Sequence, residues 1–354
     1  MKYLIKNYSL IFSLLISLLF IAACEDDSDR ISFTPEITLV SATVDENGQA
    51  VPITPTTQGY AGNTYIIQGK GFSTLQHIYF NDTESTFNPN FVTDNNIIVT
   101  INQNTPYANA SNKIKLVTKY GTLEYDFVVA PPAPVFTSYD PINAKAGETI
   151  TLYGNFFLNP VVKVGDATAT ILSSSLTEIK AVLPANSDDK RVSVTTISGT
   201  TTASQPVGSA LYDDILQGDT GHWSWSGTPI ITDYTADKFQ GEKSMKIAFG
   251  GWDGADFKFA SRDVSKYKAF RIRLKSTIDN SDASLKLVFG GWAFQIIKKI
   301  GTDWTYIEIP FSDIGNPTTF DQITFQESGS FGGNTILIDD MGFVDTDKRQ
   351  RQNF

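Results

Sequence analysis

Along most of this chain, apolar and polar residues alternate at every second position, the period of a half-buried β-strand. The pattern is densest toward the C-terminus, where residues 244–249, 255–262, 269–275, 284–289, 294–300, 305–310, 322–326 and 335–344 each read as a strand. No segment of helical period and useful length interrupts them. Within 322–326, Ile323 and Phe325 are expected to face a core, which turns Thr324, Gln326 and then Ser328 to the opposite face. Eight such strands in one block predict an all-β sandwich or jelly-roll.

Two of these strands end in the same four residues. Phe249-Gly250-Gly251-Trp252 follows one run and Phe289-Gly290-Gly291-Trp292 follows another. A glycine pair weakens a strand interior and marks a bulge or a close approach to the backbone. A flat side chain straight after it, twice, predicts two Trp faces offered to a ligand. Asp253, Asp256, Lys258 and Gln295 lie on or beside these turns, and Gln326 on the outward side of its strand. Trp223 and Trp225 flank Ser224, so an extended segment points both to one face, and one of them is expected to touch the ligand. Trp304 opens an alternating strand and is expected in the core.

Earlier in the chain the alternation comes in shorter runs with Gly, Pro and Asn between them. Residues 62–72 match residues 147–157, and each copy runs from Ala-Gly through an alternating strand to a Gly and an aromatic. Such self-similarity predicts tandem modules. We place their bounds at 34–130 and 131–208, with Pro131-Pro132-Ala133-Pro134 as a stiff connection. A third domain follows at 209–345 and a tail at 346–354.

Composition narrows the partners. The chain has 354 residues, a formal charge of −10 and no long basic block, which excludes nucleic acid as a natural partner. All five Trp lie in the third domain. Cys24 is the one cysteine, so no disulfide framework or cysteine metal site can form. Lys2 and Lys6 precede an apolar run that ends in small residues, which predicts an export signal at 1–23. Ile21-Ala22-Ala23-Cys24 resembles a bacterial lipobox, which makes Cys24 the lipidated first residue of the mature chain. The acidic residues of the 24–33 linker resemble the signal by which Bacteroidetes display lipoproteins on the outer membrane surface.

Three resemblances organise the remainder. Pro141, Ala146-Gly147, Gly154 to Phe157, Val164-Gly165 and Leu183-Pro184 resemble an IPT/TIG domain, an immunoglobulin-like sandwich. The first copy has the same outline, without the Leu-Pro and with Phe80-Asn81 in place of Val-Gly. Residues 212–216, 301–311 and 336–343 resemble a carbohydrate-binding module of galactose-binding-like fold. The whole order resembles the SusE/SusF-positioned surface glycan-binding proteins of polysaccharide utilisation loci. That likeness implies a non-catalytic protein that holds a neutral polysaccharide, a β-glucan by family likeness, for a SusC/SusD-type importer. The chemistry agrees, because a Trp face can bury the apolar C–H patch of a pyranose ring. Related modules also hold a structural Ca²⁺ where the first and last strands meet, which makes Asp213, Asp214, Asp339 and Asp340 candidate ligands. Salt bridges or backbone hydrogen bonds are the alternative for those four. A structural or protein-binding adhesin is the other functional class to weigh. A glycoside hydrolase ranks below both, since no recognisable signature frames a pair of carboxylates.

Overall fold

The computed structural model describes residues 34–45, 48–278, 284–328 and 333–345. The expected export signal at 1–23, Cys24, the 24–33 linker and the 346–354 tail lie outside these residues. The chain divides into two compact units, 1–130 and 131–354, and each is taken by itself.

In the first unit, Glu36–Ala42, Thr64–Lys70 and Asn96–Thr100 form a three-stranded antiparallel sheet. Thr83–Glu84, Leu75–Phe80, Lys113–Thr118 and Gly121–Asp126 form a four-stranded one. Val40, Ile67 and Ile97 from the first sheet share a core with Phe80, Ile114 and Leu116 from the second. The second unit opens with a similar sandwich of two four-stranded sheets, with Leu152, Ile179, Val162 and Val194 in its core.

The repeat has a packing reason. In the first copy a Cβ on Gly69 would stand 1.8 Å from the Glu36 carbonyl oxygen and 2.6 Å from the Phe72 ring. In the second, a Cβ on Gly154 would stand 2.0 Å from the Val135 carbonyl oxygen and 2.4 Å from the Phe157 ring. The Gly-x-x-Phe spacing lets the phenylalanine fold back onto a bare backbone, with the ring fully buried in both copies.

The remaining residues of the second unit form a larger sandwich. The long strand Asn334–Val344 pairs along one edge with Ala269–Ser276, which in turn pairs with Thr305–Pro310. Its other edge is shared by Ser244–Phe249 and Ala210–Asp213. The opposing sheet has five strands, in the order Asp219–Ser224, Gly254–Asp263, Thr319–Glu327, Ser284–Phe289, Phe294–Lys299. Between the sheets lies an aromatic core of Phe257, Phe270, Phe289, Phe320, Phe325 and Phe343. Each such ring contributes about 1.5–3 kcal/mol through burial.

One expected alternation fails. Asp340 has φ +49°, and the pairing with Ala269–Ser276 slips between Arg271 and Arg273. A bulge of this kind reverses which side chains point inward. Ile336 and Ile338 face the core before it, and Met341 and Phe343 after it. Asp340 therefore leaves the apolar face that strict alternation assigns it and forms a fully buried ion pair with Arg271.

Candidate functional site

The five-stranded sheet has one face on the core and one face turned outward. Ala255, Phe257, Ile323, Phe325 and Leu287 belong to the core, so their strand neighbours point away from it. The pairing register sets these neighbours in rows. Trp223, Asp256, Thr324, Val288 and Gln295 form one row across all five strands. Gly254, Gln326, Lys286 and Ile297 form the next, and Gly221, Lys258 and Gln322 lie on the other side.

The floor of this face is a hydrogen-bonded set. Asp256 Oδ1 accepts from Gln322 Nε2 at 2.8 Å and from Thr324 Oγ1 at 2.6 Å. Lys286 Nζ donates to Gln326 Oε1 at 3.1 Å. Asp256 is 3% exposed and Thr324 4%, although both point away from the core, so the side chains around them shut out water. Among the described residues, nothing donates to Asp256 Oδ2, which is also buried. An unpaired buried acceptor costs about 1–3 kcal/mol.

Four tryptophans stand around the floor. Trp225 donates its backbone N–H to the Gly254 carbonyl at 2.9 Å, and its ring lies against Gly254. A Cβ there would come within 2.8 Å of Trp225 Cε2. From the other end of the sheet, the Gly290–Ala293 turn brings Trp292 over to Trp225. Their ring centroids are 5.8 Å apart and the planes differ by 27°. Lys286 Nζ lies 5.9 Å from the centroid of Trp292, and Lys258 Nζ lies 5.2 Å from that of Trp223, both within cation–π reach. Trp252 stands at the end of the Thr319–Glu327 strand. Its N–H donates to Glu327 Oε2 at 2.9 Å, and its carbonyl accepts from Gln326 Nε2 at 3.4 Å. Trp223, Trp225, Trp252 and Trp292 are 46%, 45%, 56% and 42% exposed.

The other candidates divide between holding the face and lying away from it. Asp253 is buried and does not face solvent. It accepts from the N–H groups of Ser226 and Gly254 at 3.1 and 2.8 Å and from the Ser226 hydroxyl, which fastens the corner that carries Trp225. Gln295 is exposed and donates to the Trp292 carbonyl at 3.5 Å, bracing the turn. Trp304 is not in the core as its position in the strand suggests. It is half-buried on the other sheet, where its indole N–H bonds Asp237 at 3.0 Å. Lys286, Gln322 and Gly254 were not singled out by sequence reasoning. Lys286 between Leu285 and Leu287 has an outward position by alternation, but only the register shows what it stands beside.

The four aspartates proposed for calcium are held by other partners. Asp213 accepts from the N–H groups of Ile142 and Asn143, which tie the second sandwich to the third. Asp214 accepts from the N–H groups of Glu242 and Lys243, and Asp339 from those of Phe239 and Gln240. Asp340 pairs with Arg271 and lies 3.4 Å from Arg273. Among the described residues, no three His, Cys, Asp or Glu side chains gather as a metal ion requires. The donor set therefore does not fit Ca²⁺. Burial raises Asp213 to about 6 against its backbone donors. It also raises Asp339 to about 7, and Asp140 to about 8 with help from the neighbouring charge of Asp213.

Comparison with known proteins agrees on the fold. The IPT/TIG domain family matches residues 51–127 and 134–209, including the first copy with its missing Leu-Pro. An IPT/TIG domain-containing protein of Bacteroides ovatus is 28% identical over 163 residues, 44% of this chain and 32% of that protein. The chain thus spans about a third of the length of the curated relative it matches. The surface glycan-binding protein PbSGBP-B of Prevotella bryantii superposes over 88% of this chain and 99% of its own, with 19% identity and a TM-score of 0.53. SGBP-B from a complex xyloglucan utilization locus in Bacteroides uniformis covers 89% of this chain and 100% of its own, at 15% identity and a TM-score of 0.39. Residues 51–127 and 134–209 are thus similar to IPT/TIG domains, and the all-β fold is similar to that of PbSGBP-B.

Proposed function

We propose that this chain is a non-catalytic surface lipoprotein that captures a neutral polysaccharide, a β-glucan, on the outward face of the five-stranded sheet. The observation that supports it best is four exposed tryptophans around one hydrogen-bonding floor. Large aromatic rings left half in water, one on the edge strand and three on the turns beside the sheet, have a cost that folding does not require. Pyranose rings fit such a surface, because their C–H faces bury against indole while the rim hydroxyls meet Gln326, Lys286 and Lys258. Stacking of this kind contributes about 0.5–1.5 kcal/mol per ring beyond area burial, by analogy with aromatic pairs. Binding that is weak per ring and repeated along a chain suits capture followed by release to a SusC/SusD-type importer.

In this reading the IPT/TIG domains are spacers, and lipid on Cys24 anchors the protein to the outer membrane. Catalysis is left out because hydrolysis of a glycoside needs two carboxylates across a cleft. Asp253 and Glu327 are buried and bonded to backbone amides, and Asp256 lies in the floor. Affinity electrophoresis in gels containing β-glucan tests the reading. The wild-type protein is expected to be retarded and to release no reducing ends. Equal mobility with and without polysaccharide, across a panel of neutral glycans, would remove it in favour of the adhesin class.

A further inference from the structure

We propose that Asp256 determines specificity on this face, its unpartnered Oδ2 accepting the hydrogen of a free hydroxyl on the bound sugar. The inference rests on the glycan-binding reading above and adds a chemical requirement to it. Both lone-pair directions of Oδ1 are used, one by Gln322 Nε2 at 2.8 Å and one by Thr324 Oγ1 at 2.6 Å. These two bonds fix the carboxylate plane, so Oδ2 is held in place with no donor among the described residues. A lysine stands two residues away on the same face, yet Lys258 Nζ lies over the Trp223 ring and not on the carboxylate. The floor thus keeps one strong acceptor unfilled amid aromatic rings. A charged acceptor in dry surroundings bonds a hydroxyl tightly and rejects a group that lacks one.

Solvent does not reach Oδ2 as the side chains stand. A sugar hydroxyl meets it when a neighbour gives way. That movement is assigned to Trp223, the cross-strand partner of Asp256, which is half exposed on an edge strand. The ligand class that follows is a glucan with unsubstituted ring hydroxyls. Etherified or esterified chains would leave the carboxylate unpaired under the ring.

The test is a cycle on the full mature chain, with Asp256→Asn against wild type, and mixed-linkage β-glucan against the same polymer O-methylated. Asparagine keeps an oxygen for Gln322 and Thr324, and presents N–H donors where the sugar donates. On the free glucan, Asp256→Asn is expected to weaken binding about tenfold, roughly 1.4 kcal/mol. Its melting temperature is expected to equal or exceed that of wild type. On the methylated polymer the two proteins should bind alike, both weakly. Equal loss on both polymers, or unchanged affinity for the free glucan, overturns the assignment and leaves glycan binding standing. A fall in melting temperature of Asp256→Asn also overturns it, by showing that the carboxylate serves the fold. A wild-type protein that holds neither polymer overturns the functional reading and this inference together.

Discussion

The two Phe-Gly-Gly-Trp segments are identical in sequence and different in structure. Both bury the phenylalanine, expose the tryptophan and close a turn with an i to i+3 bond, Asp253 N–H to Gly250 and Ala293 N–H to Gly290. The first then crosses from one sheet to the other, since Ser244–Phe249 and Gly254–Asp263 belong to different sheets. The second is a hairpin inside the five-stranded sheet. The backbone follows the task. Gly290, Gly291 and Trp292 have φ of +60°, +60° and +79°, three successive left-handed residues in the four-residue loop between paired Phe289 and Phe294. In the first copy only Trp252, at +61°, is left-handed, the pattern of a type II turn. A tryptophan in that region is strained in both copies, and strain kept twice on exposed rings favours a use for them. Yet the uses differ. Trp292 leans over the floor to meet Trp225, whereas Trp252 is pinned through its backbone at the end of a strand.

That difference can be broken by substitution. Trp292→Ala is expected to weaken β-glucan binding about tenfold, because it also removes the stacking partner of Trp225. Trp252→Ala should cost only about twofold to threefold, under 1 kcal/mol. Calorimetry on both variants checks this, and equal losses would make the two turns equivalent after all. Gly291→Ala is expected to lower stability by about 1–2 kcal/mol, the penalty of a left-handed alanine, while Gly251→Ala stays within about 0.5 kcal/mol. Urea unfolding followed by tryptophan fluorescence reads this directly, since every Trp lies in the third domain.

A pH series separates both turns from the fold beneath them. Asp140, Asp213 and Asp339 have raised pKa values when folded, about 8, 6 and 7, chiefly through burial. A raised carboxylate holds its proton more tightly in the folded state than in the unfolded one. Its stabilising contribution is complete below the ordinary carboxylate range, near pH 4, and is lost as pH rises through 6 to 8. The melting temperature should therefore fall from pH 5 to pH 8, and Asp140→Asn should flatten the curve. Glycan affinity should change little over the same range, and a parallel loss of binding would tie the face to the buried carboxylates. The smallest effect is relief of strain. Trp252→Asn or Trp292→Asn should raise stability by about 0.5 kcal/mol, since asparagine tolerates the left-handed region. A drop in both would show that the rings contribute to packing.

Much of the third domain is legible in its residues because alternation is a local signal. Residues 244–249, 284–289 and 305–310 are strands with the bounds that alternation predicts. The Ile230–Tyr234 strand does not stand out in the sequence, because it is short and carries Thr and Asp among its apolar residues. The outward placement of Thr324 and Gln326 also follows from period two. What alternation cannot show is which polar side chain is already engaged. Asp253 and Asp256 differ by three positions and look alike in sequence, yet one fastens a loop and the other keeps an oxygen unpaired. The same limit misplaced Trp304, whose neighbour Asp237 comes from a distant strand connection.

By itself the sequence determined an all-β chain, its tandem repeat, the inward Phe325 and the outward Trp252 and Trp292. Each of these depends on residues a few positions apart, through strand period, turn chemistry and the demand that apolar rings leave water. The tertiary structure alone decided that Trp225 and Trp292 stack, that one Phe-Gly-Gly-Trp is a hairpin and the other a crossover, and that four aspartates serve amides and arginines. Those outcomes depend on strand register and on which sheet each strand joins, and both are set by packing between residues far apart in the chain.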